Sequence, residues 1–330
     1  MSSTKGLVLV TGSNGFIGAR TVEAFLNAGY SVRAVTRSQS SASGLLDALP
    51  QFSESGQLSI SLVPDITIPG AFNEAVKGVT AIAHLASPVN FKITDADLII
   101  SSAVKGTTGI LESALREPSL KYVTEEDWND EAEDTLARLG DTATGHNLYV
   151  VSKIRAERAF WEFRNKNADK IKFSMTAINP IWVAGPPLIL PEDPNKLSDT
   201  AIIAYQIMAG QSVPPAGPGN GTHVDVRDVA RLITFAVDHP DVTDGQRYIA
   251  GGNGNFANVQ AYSDVLRKVY PERRDIIVEG EPGKGYLEDY SEPPNSRKVD
   301  ASKAVKTSGQ GWIPFEKKLL DAAKAYERYF

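Results

Sequence analysis

Tyr149 and Lys153 stand four places apart in NLYVVSK, residues 147–153. On a helix, residues so spaced share a face, which would set the lysine ammonium beside the phenol. A phenol titrates near about 10, and a fixed cation favours its ionised form, giving an acid or base usable near neutrality. The same spacing on an outer helix face is an ordinary solvated pair, so residues elsewhere must decide between the two readings.

A second constellation lies at the start of the chain, where TGSNGFIG (residues 11–18) places Gly12, Gly15 and Gly18 three apart. It follows the apolar run Leu7–Val10 and precedes the amphipathic stretch Phe16–Ala28, a strand, a turn and a helix. Glycines at such a junction let the backbone approach a pyrophosphate, whose charge then meets the helix N-terminus. Gly12, Asn14, Gly15, Phe16, Ile17 and Gly18 are therefore candidate cofactor-binding residues. The competing reading is a tight turn that needs glycine for packing alone.

The second strand ends in VTRS, where a site selecting unphosphorylated NAD would offer Asp or Glu to the ribose hydroxyls. Arg37 stands there instead, with Ser38 beside it and Arg33 in reach, an arrangement suited to a 2′-phosphate and hence to NADP(H). Asp65 and Ile66, after the third strand, are placed at the adenine. Ala86 and Ser87, after the fourth, are placed near the nicotinamide ribose, because ligands gather at the carboxyl ends of parallel strands.

The elements that must position these groups alternate in type. Ser31–Val35, Ile60–Val63 and Ala81–Leu85 read as strands and Ala71–Val76 as a helix; 97–115 and Tyr149–Asn165 read as long helices. Phe173–Ile178 reads as a strand ending at Asn179 and Pro180, Val224–Val237 as a helix with a strand-like lead-in, and Arg247–Ala250 as a strand. Such alternation implies an α/β fold, a Rossmann-type doubly wound parallel sheet with right-handed crossovers. The expected division is residues 1–180 as the NADP-binding domain, with 223–251 returning to it, and 181–330 mainly as a smaller substrate-binding lobe.

With 330 residues, 42% of them hydrophobic, the chain has ample material for a buried core. Forty acidic against 34 basic side chains give a net charge of −6, which disfavours nucleic acid and anionic lipid as partners. There is no cysteine, hence no disulfide or thiolate chemistry. The apolar run in MSSTKGLVLVTG is too short for a signal peptide or a membrane span, so a cytoplasmic location is expected. The four histidines lack ligand spacing and EEDWNDEAED reads as a solvated segment, so no metal is expected.

TGSNGFIG, PDIT, HLASPV, YVVSK and INPIWVAGP, in this order, resemble the extended short-chain dehydrogenase/reductases. The branch they look like holds the dihydroflavonol and cinnamoyl-CoA reductases and the fungal NADPH-dependent aldehyde and ketone reductases. The likeness runs from about residue 5 through HVDVRDVAR at 223–231. It implies a carbonyl reductase in which Tyr149 gives a proton to the carbonyl oxygen and NADPH supplies hydride from its pro-S face. Lys153 is then implied to hold the ribose hydroxyls and lower the tyrosine pKa, while Asn179, Pro180 and Val183 border the nicotinamide.

One motif of the family is missing. Its members place a carbonyl-polarising serine or threonine at the end of a fifth strand, typically within TSS; here PSLKY runs directly into VTEEDWND. Either that strand is absent, or Leu120–Thr124 is a shortened version with Thr124 as the hydroxyl; the competing reading of Thr124 is the turn or helix cap of TEEDWN. Lys105, at the family's asparagine position in AVNGT, carries no assigned role. Two other functions remain open: a sugar-nucleotide epimerase or dehydratase, which shares the fold and the YxxxK pair, and a noncatalytic dinucleotide sensor. The substrate expected is a small ketone or aldehyde, with Trp182, Leu188, Tyr205 and the Gly285–Tyr290 loop as candidates for its pocket. Pairing of 97–115 with 149–165 would make a homodimer, and the resembling branch also contains monomers.

Overall fold

Val8, Leu9 and Val10 are all fully buried, which marks their strand as one covered on both faces, as in the middle of a parallel sheet. A computed structural model describes residues 4–87, 99–107, 130–211, 221–251, 256–291 and 299–330. In it β1 (Leu7–Thr11) leads through the glycine turn into α1 (Phe16–Asn27), then β2 (Ser31–Thr36), α2 (Gln39–Ala48), α3 (Pro50–Glu54), β3 (Leu58–Leu62) and β4 (Ala81–His84). These strands form a parallel sheet in the order β3-β2-β1-β4, with Val10 opposite both Ala34 and Ala83.

Helices α4 (99–107), α5 (Asp130–Leu139) and α6 (Gly145–Lys166) follow. Then come β5 (Ala177–Pro180), β6 (Trp182–Ala184), α7 (Ile202–Met208), β7 (Gly221–Asp225), α8 (Val226–Asp238), α9 (Pro240–Thr243), β8 (Arg247–Ala250) and β9 (Phe256–Ala257). Helices α10 (Val259–Val269), α11 (Ser302–Ser308) and α12 (Phe315–Tyr326) complete the chain. Strand β5 pairs with β8, while β6, β7 and β9 form a three-stranded sheet. No helix among the described residues is long and apolar enough to cross a membrane.

The chain divides into two compact units, one of residues 1–14, 25–177 and 236–247, the other of 15–24, 178–235 and 248–330. The first is built on Leu9, Val35, Phe72, Val76, Val79, Ile82 and Met175, against which Phe160 and Phe163 of α6 pack. In the second, Met208, Tyr262, Leu266, Tyr286, Leu319 and Tyr326 form the core between α7, α10 and α12. A buried carboxylate, Asp225, is held there by both ends of the Arg227 guanidinium fork, and Arg227 reaches on to Asp321.

Three expectations change. Residues 71–76 form successive turns rather than a helix, because Gly70 (φ 77°) and Gly78 (φ 72°) bracket the segment in the left-handed region. The strand expected at Phe173–Ile178 begins only at Ala177, since Met175 and Thr176 bond instead to the loop at Thr243–Gly245. Helices α2 and α3 were not foreseen; the serine-rich α2 has a weak apolar face and owes its start to a capping box on Ser38. The helix expected over 97–115 is described at 99–107, and its remaining residues lie outside the described ones.

Helix α6 is fastened to the far end of its unit by ion pairs. Arg247 grips Glu157 through two bonds of 2.8 and 2.7 Å, both side chains largely buried, and Arg164 grips Asp244 through two of 2.7 and 2.9 Å. Removing one member of a buried pair leaves an uncompensated charge. Arg247→Met is expected to cost about 3 kcal/mol in urea unfolding, and adding Glu157→Leu to recover most of it.

Candidate active site

Tyr149 lies in the second turn of α6, whose start is fixed by a capping box in which Thr144 accepts from the Asn147 amide and Asn147 accepts from that of Thr144. One turn on, the Lys153 ammonium sits 5.1 Å from the centre of the Tyr149 ring. The opening pair is therefore helical, adjacent and mostly buried. Burial pulls Lys153 down to about 8, leaving it mainly charged at neutral pH. Burial also pushes the Tyr149 phenol up. This corrects the lowered tyrosine pKa implied above: the ammonium lies over the ring, and desolvation of the phenolate prevails. The phenol is accordingly protonated at neutral pH.

Beside this pair is the end of β4. His84 Nδ1 lies 2.9 Å from Thr11 Oγ1, and the same oxygen accepts the Leu85 and Ala86 amides at 3.0 Å each. Gly12 follows with φ 63°, and a Cβ there would stand 3.0 Å from the Ala86 nitrogen. The turn is thus pressed against the residues after β4, and only glycine fits without strain. Ser13 Oγ ties the turn to β2 by donating to the Val35 carbonyl at 2.8 Å.

The remaining candidates are placed as follows. Asn14 is exposed, and Gly15, Phe16, Ile17 and Gly18, which open α1, belong to the second unit, as do Pro180 at the end of β5 and buried Val183 in β6. Arg37 and Ser38 are exposed at the carboxyl end of β2; Ser38 caps α2, and the hydroxyls of Ser40 and Ser41 lie within 3.2 Å of its own. Arg33 takes no part there, since it donates to the Ala75 and Lys77 carbonyls at 2.6 and 2.7 Å. Asp65 accepts from the amide and hydroxyl of Thr67, and Ile66 packs within 2.9 Å of where a Cβ on Gly106 would stand. Ala86 and Ser87 are half-buried after β4. Thr124 lies outside the described residues, as does Leu120.

Of the pocket candidates, Tyr205 is packing material, stacked on Phe330 and edge-on to Tyr326 and Tyr329. Tyr286 is fully buried and donates to Asp264. Trp182 lies beside His223, with its indole N–H buried and unpaired among the described residues. His84 and Thr11 were not singled out in the sequence as site residues. Their signal is position alone, each at the carboxyl end of a parallel strand.

The residues present fit a dinucleotide: a left-handed glycine beside the end of β4, an exposed arginine without a partner among the described residues at the end of β2 with hydroxyls beside it, and a buried lysine one turn from a tyrosine. Such a parallel sheet and site define a dinucleotide-binding α/β protein. The sequence profile of the NAD dependent epimerase/dehydratase family matches residues 8–251, and the chain belongs to that family, among the extended short-chain dehydrogenase/reductases. It is 31% identical over 309 residues to the NADPH-dependent methylglyoxal reductase GRE2 of Saccharomyces cerevisiae, covering 84% of this chain and 86% of the relative. It is 29% identical over 347 residues to the ketoreductase sphI of Aspergillus fumigatus, covering 96% of each. The crystal structure of yeast methylglyoxal/isovaleraldehyde reductase Gre2 with NADPH superposes with a TM-score of 0.79 at 26% identity, covering 98% of each chain.

The His84 ring is enclosed, and burial together with the nearby Lys153 ammonium lowers its pKa from 6.5 to about 4. Between these values the unfolded chain binds a proton that the folded chain refuses. Stability on this account is whole above about pH 6.5 and declines as the pH falls toward about 4, by up to about 3 kcal/mol. Urea unfolding at a series of pH values should show this decline in the wild type and lose it in His84→Leu.

Proposed function

We propose that this chain is an NADPH-dependent carbonyl reductase that converts small aldehydes or ketones to alcohols, reversibly. The observation that carries the reading is the buried Lys153 ammonium, 5.1 Å from the Tyr149 ring and beside the end of β4. The activities for which the relatives are named support the same class: methylglyoxal reductase and ketoreductase.

When bound, NADPH supplies the hydride. Tyr149, kept protonated by burial, donates its phenolic proton to the substrate oxygen as negative charge develops there. Lys153 holds the ribose hydroxyls and stabilises the phenolate left behind. The glycine turn with Asn14, Phe16 and Ile17 takes the pyrophosphate, Arg37 and Ser38 the 2′-phosphate, and Asp65 and Ile66 the adenine. Ala86 and Ser87 are assigned to the nicotinamide ribose, and Pro180 and Val183 to the nicotinamide. The hydroxyl that polarises the carbonyl is assigned to Thr124 or to a bound water, which the activity of Thr124→Val distinguishes. The location proposed is cytoplasmic and the assembly a monomer or a homodimer, which cell fractionation and sedimentation read.

NADPH oxidation with a panel of aldehydes and aryl ketones tests the reading. Tyr149→Phe is expected to lose about 100-fold or more in kcat while still binding NADPH by fluorescence titration. Binding without turnover in the wild type would point to the dinucleotide sensor instead. Arg37→Glu is expected to lower the preference for NADPH over NADH by about 10- to 100-fold, the worth of a charge-assisted bond to phosphate.

A further inference from the structure

We infer that His84 is a positioning residue for Lys153: Thr11 fixes its neutral imidazole with the proton on Nε2, so the ring offers the ammonium no acceptor and leaves it to Tyr149 and the cofactor. The inference rests on the reductase reading of Tyr149 and Lys153, and begins from the inventory of one hydroxyl.

A threonine hydroxyl has one proton to give and two lone pairs to accept with. Both lone pairs of Thr11 Oγ1 are taken, by the Leu85 and Ala86 amides at 3.0 Å each. Its proton then goes to the remaining neighbour, His84 Nδ1, at 2.9 Å. A neutral imidazole that accepts at Nδ1 carries its proton on Nε2. Phe72 meets the ring edge-on at 6.1 Å and helps hold its orientation. Nε2 is buried and has no partner among the described residues.

Among the described residues the charge that acts on this ring is Lys153, with Tyr149 one helical turn away. A ring N–H and an ammonium are both donors and do not bond to each other. The opposite tautomer would put a lone pair on buried Nε2, in the field of that ammonium, where a charge-assisted bond would compete with the phenol for Lys153. The Thr11 hydroxyl, by choosing the tautomer, keeps that competitor out of the site. Enclosure and the nearby ammonium also lower the ring's pKa to about 4, which keeps it neutral at neutral pH.

Two measurements test this. Long-range proton–nitrogen correlation spectra of the labelled wild type report the tautomer of each of its four histidines, with His84 assigned by its disappearance in His84→Leu. A neutral Nε2–H pattern from about pH 8 down to about pH 5.5 is expected; an Nδ1–H pattern, or titration within that range, overturns the inference. This readout needs no turnover, so a wild type that reduces nothing would defeat the reductase reading and leave the ring result to be judged separately. In an active enzyme, His84→Gln supplies the carbonyl acceptor that the native ring withholds, whereas His84→Leu supplies none. His84→Gln is expected to lower kcat about 10-fold, with little change in the carbonyl KM, and to move the basic limb of the kcat profile for reduction to higher pH by half a unit or more. In His84→Leu the limb stays where the wild type has it. Equal movement in both variants, or movement in neither, overturns the inference.

Discussion

The hydroxyl of Thr11 joins the ends of two parallel strands at the point where the chain must leave the sheet and turn. Beyond the last ladder bonds of β1 and β4, the Leu85 and Ala86 amides have no strand partner among the described residues, and a buried amide left unpaired costs about 1–3 kcal/mol. Thr11 Oγ1 satisfies both and passes its own proton to His84. The glycine turn is pinned from the other side through Ser13 and Val35. With both ends fixed, Gly12 is forced close to Ala86, and the residues expected to meet the nicotinamide ribose are set by the same contact.

The second determinant is desolvation. It acts on Tyr149 and Lys153 in opposite senses, disfavouring phenolate and ammonium alike. The result is a pair that holds its proton on the phenol while the lysine stays mainly charged at neutral pH, the starting state for reduction rather than oxidation. On the proposed reading, charge developing on the phenol during transfer would meet a cation already in place. The ion pairs of Arg247 and Arg164 hold the helix that makes this possible.

Much of this was legible where one local rule sufficed. The glycine triplet lay in the strand–turn–helix context that its spacing requires, and the Tyr–Lys pair lay on a helix as its period demanded. The helix expected at 71–76 failed because two left-handed glycines outvoted its apolar period. Arg33 stands in reach of Arg37 in the sequence, but the distant carbonyls of Ala75 and Lys77 hold it. Tyr205 and Tyr286 read as pocket residues because an aromatic in a loop-rich region looks the same whether it faces a ligand or a core. His84 escaped notice because its meaning depends on a hydroxyl 73 positions earlier and an ammonium 69 positions later, and no spacing rule spans such distances.

The fastening of α6 to residues 244 and 247 has a consequence for how the molecule comes into being. Glu157 and Arg247 are 90 positions apart, and Arg164 and Asp244 are 80. Contacts of such separation are slow to form, because a long loop must close before they repay its entropy. On a ribosome, the helix bearing Tyr149 and Lys153 would emerge well before its anchors. Until residue 247 is made, the phenol and the ammonium at the heart of the site belong to a helix that lacks its Glu157–Arg247 anchor, in the company of the chaperones that tend unfinished chains.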